Sequence, residues 1–216
     1  MLNIIIASII AYGGGGFGGF GIYVNQGNLD NLNKILQSHG IQTLSNTQYG
    51  WGGLGYGIVG KVWIGGGGYG TEQKVSSDSM ELSLKIGSGF FEIGYSLYQS
   101  HRVIGALTLA LGGSGYSMAI YPNNNDQTFD SLLNNPRRDA YVIISSSLSI
   151  TPYANLLIRL NRFIGLFFKA GYTISTGTDW RFDDGDKVLN PPDISPSGFV
   201  GSLNVVFGGF SERSGE

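Results

Sequence analysis

"MELSLKIGSGFFEIGYSL", residues 80–97, runs through the same alternation twice. Met80, Leu82, Leu84 and Ile86 are separated by Glu81, Ser83 and Lys85. Phe91, Ile93, Tyr95 and Leu97 are then separated by Glu92, Gly94 and Ser96. A period of two belongs to a β-strand with one face in an apolar environment. Gly87-Ser88-Gly89 between the two runs reads as a tight turn. The stretch therefore predicts two antiparallel strands, over 77–87 and 89–98.

The same rhythm continues along the chain. It predicts strands over 3–24, 48–59, 61–71, 77–87, 89–98, 102–121, 139–151, 154–162, 163–175 and 197–210. Pro152 cannot donate to a ladder, so 154–162 also reads as a continuation or bend of 139–151. Short connections make most neighbours antiparallel, and the count is eight to ten strands in one domain over 1–216. Leu29, Leu32, Ile35 and Leu36 follow helical spacing instead. With Asn28 as N-cap and Gly40 just past the end, they predict a short helix over 28–39, between the first two strands. That helix caps a barrel end, lies along a membrane interface, or packs on the nearest apolar surface. Two long polar loops are expected at 122–138 and 175–197.

Composition narrows the setting. Charged residues make up 13% of the 216, about half the usual share. Glycine is abundant, at 36 residues, and cysteine is absent. Net charge is −2 without a basic stripe, which argues against nucleic acid as a partner. No apolar run reaches the ~18 residues of a membrane helix. Together these features fit an all-β, antiparallel up-and-down transmembrane β-barrel in contact with membrane lipid. Met1 to Ala11 reads as part of the first strand or as the remnant of a signal peptide.

The two faces of the strands support that choice. One carries Leu, Ile, Phe and Val and no formal charge. The other carries Gly, Ser, Ala, Asn and Thr, with Glu81, Lys85, Glu92, Arg102, Arg159 and Lys169. Small residues suit a narrow barrel interior. The expectation is therefore that the apolar side of each strand, Leu82, Leu84, Ile93 and Phe168 included, faces acyl chains. Glu81, Lys85, Glu92, Arg159 and Lys169 are then candidates for ion pairs in the lumen. Tyr and Trp lie toward strand ends, as interfacial girdles do.

Glycine runs at "YGGGGFGGFG" (12–21) and "IGGGGYG" (64–70) need an explanation. Gly16-x-Gly18-x-x-Gly21 has dinucleotide-binding spacing, but Gly21 leads into Ile22-Tyr23-Val24 rather than a helix, so phosphate would meet no helix N-terminus. A nucleotide is not expected. Recurrent glycine points to bent strands, or to side chains approaching closely across a small barrel.

With these runs, the paired segments at 80–97 and "NRFIGLFFKAGYTI" (161–174), the chain resembles glycine-rich bacterial outer-membrane β-barrel proteins. The resemblance implies an outer-membrane location and brings no catalytic motif. "LNVVFGGF" places an aromatic at Phe210, where such barrels often end, but Ser211 to Glu216 follow. His39 and His101 read as cap and turn residues, and Asp179, Asp183, Asp184 and Asp186 as a solvated acidic loop. No catalytic, cofactor or metal residue is assigned and no enzymatic activity is expected. A structural, interaction or narrow-pore role follows, with possible homo-oligomerisation. A soluble or secreted β protein that self-assembles and a lipid-binding or lipid-processing barrel stay open as alternatives.

Overall fold

The computed structural model describes residues 15–77, 80–122, 141–177, 179–182, 184–192, 194–195 and 197–209. Expected features at 1–14, 123–140 and 210–216 lie outside the described residues. These include the start of the first strand, the signal remnant, Phe210 and most of the first long loop.

Among the described residues, eight long strands close into one antiparallel barrel. They are β1 (Gly15–Gln26), β2 (Thr47–Val59), β3 (Val62–Ser76), β4 (Met80–Gln99), β5 (Val103–Pro122), β6 (Tyr141–Arg159), β7 (Ile164–Ser175) and β9 (Gly198–Gly209). The ring runs β1 to β7 in chain order and is closed by β9, which pairs with both β7 and β1. A two-residue strand, β8 (Arg181–Phe182), pairs with Ile143 and Ile144 beyond the end of β7. Helix α1 (Asp30–Ser38) lies between β1 and β2.

The closure can be traced through the ladder. A row started at Gly208 passes Phe17, Tyr56, Gly65, Glu92, Ala110 and Thr151. It crosses to Thr173, whose hydroxyl lies 3.0 Å from that of Thr151, and reaches β9 again at Gly198. The row has advanced ten residues in one circuit. For eight strands, a stagger of that size sets a tilt of about 40° and a bore only wide enough for side chains.

The expectations for residues 80–97 need correction. Gly87-Ser88-Gly89 is not a turn: β4 is one strand of 20 residues, with an unbroken register to β3 and β5 through that segment. Strand β6 passes through Pro152 as one strand, so 154–162 is the continuation of 139–151. Because β4 does not turn, its two apolar runs lie on opposite faces. Leu82, Leu84 and Ile86 are buried inside, whereas Phe91, Ile93, Tyr95 and Leu97 are exposed outside. Strand β5 inverts in step, with Leu107, Leu109 and Leu111 outside and Tyr116 and Met118 inside.

The physical reason is a change of solvent along the strand. Beside lipid, the outer face must be apolar and the bore is filled by polar and small groups. Past the lipid, the outer face meets water and the interior becomes an ordinary apolar core. Lys85 accordingly points outward, not into the lumen, and forms an exposed cluster with Glu72 and Lys74 at 3.5–3.7 Å. Desolvation pulls the Glu72 carboxyl upward. The Ser83 hydroxyl and the two lysines outweigh it and hold the group below its ordinary value. Strand β2 is a second inversion: Leu54, Tyr56 and Ile58 point inward, and Gly53, Gly55 and Gly57 line the outside.

Around the rest of the barrel the outer wall is apolar as expected, with Phe20, Ile22, Ile150, Phe168, Leu203, Val205 and Phe207 exposed. Tyr49, Trp51, Tyr172 and Phe199 form a girdle toward the loop end, and Tyr95 and Tyr98 mark the other rim. Ile93→Arg, in a row with Ile64 and Leu109, places a cation against acyl chains. It is expected to lower stability in lipid vesicles by about 2–4 kcal/mol, measured by denaturant-dependent refolding. Lys85→Leu, beyond the lipid, is expected to change stability by under about 0.5 kcal/mol.

Candidate functional site

Three layers of side chains fill the space inside the ring. At mid-barrel, Glu92 and Lys169 are almost wholly buried and form an ion pair. Two isolated charges at such a site would cost several kcal/mol each, so both must be fully engaged. Tyr56 donates its hydroxyl to Glu92 Oε2 at 2.6 Å, and Thr108 donates to the same oxygen at 2.9 Å. Lys169 Nζ donates to Glu92 Oε1 and, at 2.8 Å, to the Tyr56 hydroxyl. Asn155 Nδ2 donates to Thr108 Oγ1 at 2.8 Å. The ammonium also lies over the rings of Tyr153 (4.2 Å) and Phe90 (4.4 Å), where cation–π attraction replaces part of its lost hydration. Residues from β2, β4, β5, β6 and β7 therefore meet at one point.

Toward the chain termini, Phe17, Tyr56, Trp63 and Phe167 pack ring to ring at 5.2–5.9 Å, backed by Leu157 and Val206. Trp63 Nε1 donates to Ser96 Oγ at 2.7 Å, which satisfies the only polar atom of the indole. Inward-facing glycines make room for these rings. A Cβ on Gly65 would press on the Tyr56 ring and one on Gly208 on Phe17; Gly171 gives the same space to Tyr153. The glycine runs thus serve close approach across the bore. Other glycines, among them Gly53, Gly68 and Gly89, lie on the outer wall and do not serve the interior.

The loop end is closed by a cap. Leu32 and Leu36 of α1, with Leu29 before it and Ile41 and Leu44 after it, pack on Leu82, Leu84, Tyr116 and Met118 of the projecting strands. Trp180 and Ile194 of the long loop complete this core. Asn33 clamps Leu44 by two hydrogen bonds of 2.8 and 2.9 Å, and residues 28 and 195 bridge backbone to backbone. The cap assigns α1 to the barrel end. The expected N-cap shifts by one: Leu29 occupies it, while Asn28 Oδ1 accepts from Asp30 N–H at 2.9 Å. Gly40 takes positive φ (71°) just past the helix, as the stop signal required.

Of the charges expected in the lumen, the structure brings Glu92 and Lys169 together and leaves Lys85 outside. Glu81 sits on the outer face, and Arg159 is half-buried at the turn end of β6. The sequence reading did not single out Tyr56, Phe90, Thr108, Tyr153 or Asn155. Their alternation with lipid-facing neighbours was the available signal. His39 bonds the carbonyl of Ile35 at the helix end, and His101 lies exposed in a turn. Asp179 pairs with Arg181 and Lys187 at 3.8 and 3.5 Å. Among the described residues, no group of three or more potential ligands converges on a metal position.

The chain is an eight-stranded ring with an apolar outer wall, a filled bore and a closed loop end. This is the architecture of an outer-membrane barrel. Ail, the attachment invasion locus protein of Yersinia pestis, has a similar structure. The TM-score is 0.53 at 13% identity over 91% of this chain and 97% of that one. The outer membrane protein OprG from Pseudomonas aeruginosa is similar too, at TM-score 0.51 and 9% identity, over 90% and 95% of the two chains. No protein-family model matches the chain, and no curated protein matches it in sequence.

Lys169→Met leaves Glu92 buried and unpaired and is expected to cost about 3–5 kcal/mol. Combining it with Glu92→Gln is expected to recover most of that loss, as read by a double-mutant cycle in denaturant unfolding. Gly65→Ala is expected to lower the thermal midpoint clearly. Gly87→Ala, whose Cβ meets open space, is expected to leave it within experimental scatter.

Proposed function

We propose that this chain acts in the outer membrane as a closed, non-conducting barrel whose role is interaction. In this reading it holds a rigid platform at its loop end for a partner outside the membrane, and it carries no catalytic or pore function. The observation that supports this is the succession of blocks along the bore. The aromatic layer, the Glu92–Lys169 network and the α1 cap each fill the cross-section with buried side chains. A pore would need all three to open together. The surfaces free to meet another molecule are then the outer wall and the loop end. At the loop end the exposed face of α1, with Asp30, Lys34 and Gln37, is held firmly by the apolar core beneath it.

The soluble, self-assembling alternative fits poorly, because the ring has no free strand edge and its exposed wall is apolar. The narrow-pore reading is separable by experiment. Vesicles carrying the refolded barrel are expected to swell in small sugars no faster than protein-free vesicles, and to show no discrete conductance steps in planar bilayers. The Lys169→Met barrel is expected to stay closed as well, because the aromatic layer and the cap remain. Reproducible single-channel steps from the unmodified barrel would overturn the proposal.

A further inference from the structure

Pro152 creates a defect that the barrel cannot hide. Prolines in sheets normally sit at edges, and a closed ring has none. In an antiparallel ladder the N–H and C=O of a residue point to the same neighbour. Leu148 donates to the Thr176 hydroxyl at 3.0 Å and accepts from Thr176 N–H at 2.9 Å, so even-numbered residues of β6 face β7. Pro152 therefore faces β7, opposite Tyr172. The ladder is intact at Ile150↔Ile174 and again at Tyr153↔Gly171 but is interrupted between them. Lacking an N–H, Pro152 gives the Tyr172 carbonyl no ladder partner.

The outer wall is hollow at this same place. A depression of about 600 Å³ opens to the lipid side, lined chiefly by Val24, Pro152, Ala170, Tyr172, Phe199 and Gly201. Small residues form its floor. The rings of Tyr172 and Phe199, packed edge to face at 5.1 Å, form its rim. Gln26 and Thr47 supply polar groups at its loop-side margin. Tyr172 stands in the loop-side girdle, at the level of the head ends of the acyl chains, and a carbonyl there that turns toward their methylenes finds no donor among them.

We propose that this hollow binds a lipid acyl chain carrying a hydroxyl group near its head end. The chain fills the apolar depression, its hydroxyl donates to the Tyr172 carbonyl left open by Pro152, and its polar end lies toward Gln26 and Thr47. Occupancy requires a lipid-facing outer wall but does not depend on the interaction role proposed above.

The test is native mass spectrometry of the barrel released from detergent micelles. The micelles hold equal amounts of two phospholipids that differ only in bearing tetradecanoyl or 3-hydroxytetradecanoyl chains. The unmodified barrel is expected to retain the hydroxylated lipid about fivefold over the plain one, the worth of one hydrogen bond. Pro152→Val, which restores an N–H, is expected to bind both equally. Ala170→Leu, which fills the floor, is expected to bind neither above background. Heat-modifiable gel migration confirms that each variant is folded. Equal retention by the unmodified barrel, or an undiminished preference in folded Pro152→Val or Ala170→Leu, would overturn the proposal.

Discussion

Closure of eight strands with a stagger of ten residues fixes the bore, and most of the structure follows from that cross-section. Among the described residues the ring pairs each long strand on both sides, the break at Pro152 apart, but leaves an interior too narrow for solvent to serve as filler and too wide for the backbone to fill alone. Side chains must do it, and they must interdigitate. Large rings from one strand therefore lie over glycines of the next: Tyr56 over Gly65 and Tyr153 over Gly171. The glycine content is the counterpart of the aromatic content, and neither is intelligible without the other.

The ion pair at mid-barrel follows the same logic. A purely apolar filling would give the strands two greasy faces, with little to decide which one meets lipid. A buried Glu92 and Lys169, each held by hydroxyls and the lysine by aromatic rings as well, have only one acceptable position. They tie five of the eight strands into one register. The pair contributes less through net attraction, most of which offsets lost hydration, than through the penalty on arrangements that would separate it.

Much of this was legible in the sequence. Period-two alternation in β5, β6, β7 and β9 gave the strands and the correct outward faces, and the interrupted β rhythm at Leu29–Leu36 gave the helix. Residues 80–97 misled because alternation reports two apolar-lined faces without saying that they are the same face. Gly-Ser-Gly is a common turn sequence, and local chemistry alone could not distinguish a reversal of the chain from a reversal of its surroundings. The phase is informative in retrospect. The first run occupies even positions and the second odd ones, and a strand that kept going would have to swap its solvent. In β2, the inward place of Tyr56 was not legible locally because its role depends on Glu92 and Lys169, which lie 36 and 113 residues away in sequence.

The changeover in β4 also bears on how the barrel sits in membranes of different depth. Gly87, Ser88 and Gly89 carry the transition, and none of them incurs a large cost in either surrounding. A shift of the lipid surface by two residues, about 7 Å along the strand, would strand no charge and expose no large apolar group on this side. Opposite, Tyr49, Trp51, Tyr172 and Phe199 fix the level by their preference for the interface. The barrel is thus moored along one flank and free to ride along the other, so a thinner or thicker bilayer is met by leaning rather than by unfolding.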